Sequence, residues 1–395
     1  NHYRFPGVEI KSRLFREYPH GKLGAHIVGY IGRINDKDLS NLEATESLSN
    51  YKGSMAIDPK TGEILTYVSQ PSYDPNLFVD GIDVDNWKAL NESLDKPLYN
   101  RPIQGVYPPG STFKPFVALA GLENGLRAPP YAIHDIGYFS LANSAHRYRD
   151  WKPGGHDIVD MKKAITISCD TFFYGLALEL GIERLSDFVS HFGFGSKTGI
   201  DIQGENSGLL PTPEWKSRRH KKAWYLGDTV ITGIGQGYTL TTPLQLAHAT
   251  ATLANNGVAI KPHFVTKMQN TLTGANEAIV QQVQDSIPLS PESLEIVKQG
   301  MLAVTLPGGT ASNVGANAGY TIAAKTGTAQ VIGIKQNAKY NASAINERHR
   351  DHALFIAYAP ADDPKIALSV IVENGGHGGS AAGPIARKIM DYYLL

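Results

Sequence analysis

The stretch Tyr107-Pro-Pro-Gly-Ser-Thr-Phe-Lys-Pro115 leads directly into the apolar run Phe116-Val-Ala-Leu-Ala-Gly-Leu122 and then into Asn124-Gly125. This order predicts a helix that begins near Ser111 and ends at the glycine. Ser111 and Lys114 then lie one turn apart on the same helix face. A serine hydroxyl is a weak nucleophile, and a buried lysine beside it can act as its base. The pair alone is not specific, because an N-cap serine followed by a solvated lysine gives the same pattern.

Strand patterns occur at both ends of the chain, with helical patterns between them. A hairpin is expected over 54–70, closed by the turn Asp58-Pro-Lys-Thr-Gly62. Three more strands are expected at 320–324, 353–358 and 366–372, and helices at 36–50, 161–180, 242–257 and 382–393. The order predicts an α+β fold in which the N- and C-terminal strands share one antiparallel sheet.

Composition excludes several classes of protein. The 395 residues include 37 Lys and Arg and 37 Asp and Glu, so the basic excess of a nucleic-acid-binding protein is missing. The only cysteine is Cys169, which excludes an internal disulfide. No apolar run reaches the roughly 18–20 residues of a membrane helix. The first residues read as the middle of a domain, so any membrane anchor is expected upstream of residue 1.

The tripeptide Lys-Thr-Gly occurs three times, and its context separates the three copies. The copies at 60–62 and 197–199 lie in glycine- and proline-rich turns. The third copy, Lys325-Thr-Gly-Thr328, follows a strand-like segment. Only this copy places a cation and hydroxyl groups on a strand that can border a cleft, where they could bind a substrate carboxylate.

The third motif is Ser168-Cys-Asp170, within the helix expected over 161–180. A serine and a carboxylate at this spacing could relay a proton to a leaving group. Taken alone, the motif is equally well explained as three small polar residues inside a helix.

The three motifs in this order resemble those of the class B penicillin-binding transpeptidases. The resemblance covers nearly the whole chain and includes Gly235-Gln-Gly237, Thr242-Pro-Leu-Gln-Leu246, His352-Ala-Leu-Phe355 and the tail Val372-Glu-Asn-Gly-Gly-His-Gly-Gly379. Arg16-Glu-Tyr-Pro19 and Gly29-Tyr-Ile-Gly32 resemble the N-terminal pedestal domain of these enzymes. Asp170 departs from most of the family, which has Asn there. An ionised carboxylate accepts hydrogen bonds but cannot donate one, as Asn does.

The resemblance implies an antiparallel five-stranded sheet covered by helices. It also implies two domains, a partial pedestal of the dimerisation type over 1–50 and a transpeptidase domain over 51–395. Similar proteins have more pedestal sequence before the hairpin, so the join near Asn50-Tyr51 is a second departure.

The resemblance assigns a role to each motif. Lys114 would deprotonate Ser111, which attacks the D-Ala-D-Ala carbonyl of a peptidoglycan stem peptide, and an amine from a neighbouring stem would resolve the acyl-enzyme. Ser168, helped by Asp170, would pass a proton to the leaving D-Ala. Backbone N–H groups of Ser111 and Thr328 would form the oxyanion hole. The terminal carboxylate would be held by Lys325, Thr326, Gly327 and Thr328.

Cys169 raises the question of a metal site. Asp135, Asp150 and His156 fall within 35 residues upstream at irregular spacing, and their side chains are of types that bind zinc. From the residues alone, a buried helix cysteine and solvated loop residues are the simpler interpretation. The resemblance points instead to one structural Zn²⁺ per chain with these four residues as ligands. A closed four-ligand site would hold the loop onto the segment that carries Ser168.

Related activities and the expected partners follow from the same resemblance. A D,D-carboxypeptidase differs only in the acceptor, and a β-lactam-binding sensor would be acylated without turnover. A β-lactamase is disfavoured because no Glu-x-x-Leu-Asn segment is present. Expected partners are stem peptides, β-lactams, a RodA-like SEDS glycosyltransferase and elongation scaffold proteins, with no nucleic acid. The expected location is the inner membrane, through a single-pass anchor, with the catalytic domain in the periplasm.

Overall fold

The computed structural model describes residues 17–29, 52–332 and 345–395. Its contacts divide the chain into two compact units, Asn1–Leu48 with Pro71–Tyr99 and Ser49–Gln70 with Asn100–Leu395. The sequence places 71–99 in the domain of residues 51–395, whereas the structure groups this segment with the N-terminal residues. The boundary predicted at residue 50 and the helix predicted over 36–50 lie outside the described residues.

Thirteen strands are found in the described residues. In chain order they are β1 Lys52–Ile57, β2 Ile64–Gln70, β3 Ala132–Asp135, β4 Tyr138–Phe139, β5 Tyr148–Arg149, β6 Asp157–Asp160, β7 Val258–Ile260, β8 Lys267–Gln269, β9 Asn276–Ala278, β10 Val283–Ser286, β11 Ala323–Ala329, β12 His352–Ala359 and β13 Ile366–Val372. Five of them form the main sheet in the order β11-β12-β13-β1-β2, and the others form two-stranded sheets.

All neighbours in the main sheet are antiparallel. Strand β1 pairs with β13, so the N-terminal hairpin joins the C-terminal strands, as the sequence predicts. The first of the C-terminal strands is placed wrongly by the sequence, because β11 covers 323–329 rather than 320–324. Its whole length pairs with β12, which compensates for the low strand propensity of Gly327.

Both faces of the main sheet are covered. Along β12, Leu354 and Ile356 belong to one apolar cluster, whereas Phe355 and Ala357 belong to another. Successive side chains of a strand point to opposite faces, so the two clusters are two cores separated by the sheet. This arrangement explains why β12 and β13 are nearly continuous apolar runs.

The described residues contain fourteen α-helices. They are α1 Ala25–Val28, α2 Val84–Glu92, α3 Arg101–Gln104, α4 Lys114–Glu123, α5 Met161–Thr166, α6 Asp170–Leu180, α7 Ile182–Ser190, α8 Pro213–His220, α9 Leu226–Thr232, α10 Pro243–Ala254, α11 Pro291–Ala303, α12 Ser312–Gly315, α13 Gly378–Ala381 and α14 Gly383–Leu394. Three short 3₁₀ helices cover Pro75–Phe78, Gly110–Phe113 and Glu347–His349. None of these helices is long and apolar enough to cross a membrane.

Two helices show how well local signals specify the ends. Helix α10 begins with a capping box, in which Thr242 Oγ1 accepts from Gln245 N–H and Gln245 Oε1 accepts from Thr242 N–H. Helix α4 ends at Glu123 with Asn124 as its C-cap residue, and Gly125 follows with φ 70°. Leu126 N–H donates to Gly121 O at 2.8 Å, which closes the last turn. Both ends agree with the sequence prediction.

The smaller unit has its own apolar cluster. Ala25, Tyr73, Phe78 and Ile82 are buried together within it. Tyr18 N–H donates to Asn76 Oδ1 at 2.8 Å, which ties the N-terminal residues to the segment 71–99. These contacts explain why the segment groups with the N-terminal residues.

Candidate active site and metal cluster

Ser111 lies in the 3₁₀ turn that leads into α4, next to the edge strand β11. The preceding Gly110 has φ 52°, and a Cβ atom at this position would lie 2.6 Å from Thr328 O. Gly110 N–H donates to Gly235 O at 2.9 Å. Glycine is therefore required at 110 by both the backbone conformation and the close approach of β11. The result is a half-buried Ser111 beside the third motif.

Lys114 connects the first motif to the second. Its side chain has no exposed surface, and its ammonium group donates to Ser168 O at 2.8 Å, to Ser168 Oγ at 3.2 Å and to Asp170 Oδ1 at 2.7 Å. The sequence places Ser111 and Lys114 on one face, but the three N–H groups of the lysine are directed at Ser168 and Asp170. The lysine is thus held between the two motifs.

Ser168 occupies a break between two helices, which corrects the single helix predicted over 161–180. It has φ 60°, and Cys169 N–H donates to Ala164 O at 3.0 Å, which ends α5. Helix α6 starts at Asp170, where Asp150 Oδ2 accepts from the N–H groups of Asp170 and Thr171 at 2.6 and 3.2 Å. The cap therefore comes from a residue 20 positions upstream. No local signal in the segment 161–180 could have predicted this break.

Lys325 of the third motif is also fully buried. Burial, and after it the positive charge of Lys114, hold the pKa of the Lys325 amine well below its ordinary value, although the Asp170 carboxylate opposes this shift. Lys325 Nζ donates to Thr326 O at 3.0 Å. Two lysines and one carboxylate thus share this interior. Their charges balance when one of the two lysines is neutral.

The threonines of β11 lie on the other side of the strand from Lys325. Thr326 Oγ1 lies 2.9 Å from Thr310 Oγ1, and Thr328 O accepts from Gln236 Nε2 at 3.1 Å. The N–H and C=O groups of one strand residue point the same way, so Thr328 directs both to the free edge of the sheet. That edge is where Gly110 and Ser111 approach.

Gly327, the glycine of the third Lys-Thr-Gly copy, allows close packing of β11. A Cβ atom on Gly327 would lie 2.7 Å from Thr112 Cγ2, so this glycine lets β11 approach the Ser111 turn.

The copy of Lys-Thr-Gly at 60–62 is in a turn in which Asp58 Oδ1 accepts from Lys60 N–H at 2.8 Å. The copy at 197–199 is in a loop that binds the buried carboxylate of Glu205. Both lie in turns or loops, as predicted.

The four residues selected as zinc ligands come together in a buried cluster. The ligand atoms of Asp135, Asp150, His156 and Cys169 all lie within 4.8 Å of one another. His156 Nδ1 is 2.8 Å from Asp135 Oδ2 and 3.4 Å from Asp150 Oδ1, and Cys169 Sγ is 3.5 Å from Asp135 Oδ2. The pairing of β3 with β6 brings Asp135 next to His156. The fold thus brings residues up to 34 positions apart in the sequence into one cluster.

The electrostatics of the cluster fit a divalent cation. Burial, followed by the negative charge of Asp150, raises the pKa of the Cys169 thiol. Burial and the charge of Asp170 raise the pKa of the Asp150 carboxyl. These shifts express the cost of placing several anionic groups together out of water, which a cation between them removes. Two carboxylates, one imidazole and one thiolate are ligand types that Zn²⁺ accepts.

Two features of this region are not found from the sequence. Asp150 is selected only as a metal ligand, yet it also caps α6. Trp151 is not selected at all, although its N–H donates to Asp170 Oδ2 at 3.1 Å and its indole Nε1–H donates to Ile167 O at 3.1 Å. Its position directly after a predicted ligand was the available signal.

The family comparisons cover most of the chain. A family profile described as the penicillin binding protein transpeptidase domain matches residues 53–391. A second profile, described as the penicillin-binding protein dimerisation domain, matches residues 1–65.

A curated relative is similar over the whole chain. The peptidoglycan D,D-transpeptidase MrdA of Acinetobacter baumannii is 41% identical over 463 aligned positions, covering 100% of this chain and 68% of that protein. Because the alignment is longer than the 395 residues of this chain, the relative has residues without a counterpart here.

Solved structures show the same fold. Pseudomonas aeruginosa PBP2 in complex with WCK 5153 superposes with a TM-score of 0.84 at 39% identity, covering 98% of this chain and 93% of that one. Helicobacter pylori PBP2 in complex with MreC superposes with a TM-score of 0.75 at 35% identity, covering 87% of this chain and 60% of that one.

Proposed function

Because this chain belongs to the penicillin-binding protein transpeptidases and is a peptidoglycan D,D-transpeptidase, we propose that Ser111 is its acylating nucleophile and Lys114 the base. The observation that carries this assignment is the buried Lys114, whose ammonium contacts Ser168 and Asp170 while its own helix begins directly after the Ser111 turn. We further propose that the enzyme acts in cell elongation, as a penicillin target.

Acylation requires one proton to move before the serine attacks. Lys114 must give up one of the three protons that it directs at Ser168 and Asp170, and the Asp170 carboxylate is the group that can take it. The neutral amine then accepts the Ser111 hydroxyl proton. Ser111 Oγ forms an ester bond with the carbonyl carbon of the penultimate D-Ala, and the bond to the terminal D-Ala breaks. The leaving amine takes the proton that Lys114 received, through Ser168, which leaves the Lys114 amine neutral for the second half-reaction.

Deacylation reverses these proton movements. The amine of a neighbouring stem peptide attacks the ester carbonyl, loses a proton through Ser168, and Ser111 Oγ recovers its proton from Lys114. The negative charge of both tetrahedral intermediates would be stabilised by the N–H groups of Ser111 and Thr328. Thr328 supports this role because its backbone faces the free edge of β11. One such donor commonly contributes about 3–4 kcal/mol.

The substrate carboxylate would be held along the third motif. Thr326 and Thr328 lie on one side of β11 and offer hydroxyl groups at the strand edge. Lys325 lies on the opposite side of the strand and is fully buried. It would therefore attract the substrate carboxylate through its positive charge, when protonated, rather than through a contact at the protein surface. Gly327 keeps the strand close enough to the Ser111 turn for both groups to act on one substrate.

We also propose that the cluster of Asp135, Asp150, His156 and Cys169 holds one structural Zn²⁺. The support is the convergence of four buried ligand atoms within 4.8 Å. A bound zinc would supply a cross-link without an open coordination position for chemistry. Asp150 caps α6 and Cys169 follows Ser168, so these ligands would also hold the catalytic turn in place.

The proposed setting follows from the relatives. The Helicobacter pylori enzyme is solved in complex with MreC, so we propose an elongation scaffold protein of that kind as partner. A RodA-like SEDS glycosyltransferase as second partner rests on the family resemblance. We propose an inner-membrane enzyme with its catalytic domain in the periplasm, where stem peptides are available.

Intact-protein mass spectrometry with a penicillin tests the nucleophile. We expect wild-type protein to gain one persistent penicilloyl adduct and Ser111→Ala to gain none. Thr112→Ser, which changes a buried neighbour on the same turn, is the matched control and should be labelled like wild type. A labelled Ser111→Ala protein would place the nucleophile elsewhere, and an adduct that disappears within minutes would indicate a hydrolase.

A further inference from the structure

Trp151 is a large exposed side chain fixed against the catalytic turn. Its fractional exposure is 58%, whereas tryptophan is on average highly buried. Both of its N–H groups are nevertheless used, one by Asp170 and the other by Ile167. These acceptors stand on either side of Ser168. The backbone of Trp151 and its indole ring are therefore each attached to the turn at one point.

The ring is also supported by the metal cluster. Its centroid lies 5.3 Å from that of the His156 ring, with 55° between the planes. The indole hydrogen bond and the ring contact leave the side chain little freedom to lose when a ligand covers it. A pre-organised aromatic surface of this kind binds apolar and aliphatic groups well. No step of the proposed reaction uses it.

The backbone of Trp151 is linked to Lys114 through a single residue, Asp170. Asp170 accepts from Trp151 N–H with Oδ2 and from Lys114 Nζ with Oδ1. A peptide whose carbonyl lies at Ser111 advances at most about 3.6 Å per residue, so the residue before its D-Ala-D-Ala must lie near this turn. The donor peptide remains attached through both half-reactions, whereas the acceptor enters only for the second. A fixed surface beside the turn therefore serves the donor in both.

We propose that Trp151 determines donor specificity by packing its exposed face on the aliphatic side chain of the residue that precedes D-Ala-D-Ala. This inference rests on the proposed function and deepens it. Trp151 is a substrate-contacting residue in this account, and Asp170 and Ile167 position it.

Two donor substrates and two variants test the contact. The donors are acyl-D-Ala thioesters in which the preceding residue is either a long aliphatic amino acid or glycine. We expect Trp151→Ala to raise KM for the aliphatic donor about tenfold with kcat nearly unchanged, and to change KM for the glycine donor less than about twofold. Trp151→Phe keeps an aromatic face and should stay within about threefold of wild type. Tyr392→Ala, at an exposed tyrosine on α14, should change neither.

Several results would overturn the proposal. An equal KM increase for both donors would mean that the ring does not recognise the side chain of the donor residue that precedes D-Ala-D-Ala. A Trp151→Phe protein as impaired as Trp151→Ala would mean that the indole N–H, not the ring face, is what matters. An effect confined to the KM of the acceptor amine would assign the ring to the acceptor.

The controls distinguish a failure of this proposal from misfolding of a variant and from a failure of the proposed function. Melting temperature and zinc content should be those of wild type in each variant compared. If wild-type protein is not acylated at Ser111 by either donor, the proposed function fails. If wild type reacts and Trp151→Ala reacts equally well with the aliphatic donor, only the Trp151 contact is wrong.

Discussion

Lys114 and Asp170 form an ion pair in the protein interior, with Nζ 2.7 Å from Oδ1 and no exposed surface on the lysine side chain. Ser168 accepts the two remaining N–H groups of the ammonium, so Lys114 is fully hydrogen-bonded. Desolvation offsets much of the attraction in a buried pair, so its main consequence is geometric. The pair fixes the distance between the motif on α4 and the motif at the start of α6.

Substitutions at Asp170 separate the role of its charge from that of its shape. Asp170→Asn keeps an oxygen acceptor for Lys114 but cannot take its proton, so acylation by penicillin should slow at least about tenfold. Asp170→Ala leaves a buried ammonium without its counter-ion, which costs about 3–5 kcal/mol. We expect the acylation rate constant to fall more than about a hundredfold. Rapid-mixing kinetics measure both, and equal losses would show that the charge itself is required.

A pair of glycine substitutions tests the contact between the Ser111 turn and β11. Gly110→Ala and Gly125→Ala both place a side chain at positive φ, which costs about 1–2 kcal/mol. Only at Gly110 does the new Cβ meet another atom, Thr328 O at 2.6 Å, whereas nothing lies within 4 Å at Gly125.

We therefore expect Gly110→Ala to lose about 1–3 kcal/mol more in the free energy of unfolding than Gly125→Ala. It should also slow acylation at least about tenfold, since Thr328 moves relative to Ser111. Denaturant unfolding and penicillin labelling measure the two effects. Equal behaviour of the two variants would show that β11 does not depend on this approach.

Two histidines of the same region give a matched test of the zinc proposal. His156 is buried in the ligand cluster, whereas His134 on β3 is exposed and outside it. Chelator-free wild-type protein and His134→Asn should each contain one zinc per chain, and His156→Asn should contain far less. Metal analysis of purified protein decides this. Well under one zinc in wild type, or full zinc in His156→Asn or Cys169→Ser, would exclude the site.

Metal removal should also lower stability. A ligand that binds only the folded state at 1,000 times its dissociation constant contributes about 4 kcal/mol. We expect a strong chelator to lower the melting temperature of wild type and His134→Asn, but not that of His156→Asn. A chelator that leaves the wild-type transition unchanged would count against a structural role.

His248 on α10 should make stability depend on pH. Burial lowers its pKa to about 4, and its Nε2–H donates to Ile260 O at 3.1 Å, which opposes the shift. The unfolded chain takes up this proton near pH 6.5, so the free energy of unfolding should fall between pH 6.5 and 4. The full contribution is about 3 kcal/mol.

The matched variant is His248→Gln, which keeps a donor for Ile260 O and does not titrate. Chemical denaturation at pH 7 and pH 4 should show a smaller difference for this variant than for wild type, by about 3 kcal/mol. An identical pH dependence in the two proteins would mean that His248 is protonated as easily in the folded state as in the unfolded one.

Local signals predict the elements whose ends are set by their own residues. The Asp58–Gly62 hairpin, the capping box of α10 and the glycine end of α4 are of this kind. Of the three Lys-Thr-Gly copies, only the Lys325 copy lies on a strand of the main sheet, as its sequence context predicts.

The remaining features depend on contacts between distant residues. The break at Ser168 is stabilised by a cap from Asp150, and the length of β11 depends on pairing with β12. The spacing of Asp135, Asp150, His156 and Cys169 matches no short metal motif, and their grouping follows from the pairing of β3 with β6 and the position of α6. Such arrangements appear in the sequence only through resemblance to a family.

Peptide mapping of the penicilloyl adduct tests the central assignment most directly. Wild-type protein is labelled with a penicillin, digested, and the modified residue is located by tandem mass spectrometry. We expect one modified residue, Ser111, in the peptide that contains the turn before α4. A modification at Ser168, or at any residue outside this turn, would contradict the mechanism proposed for this site.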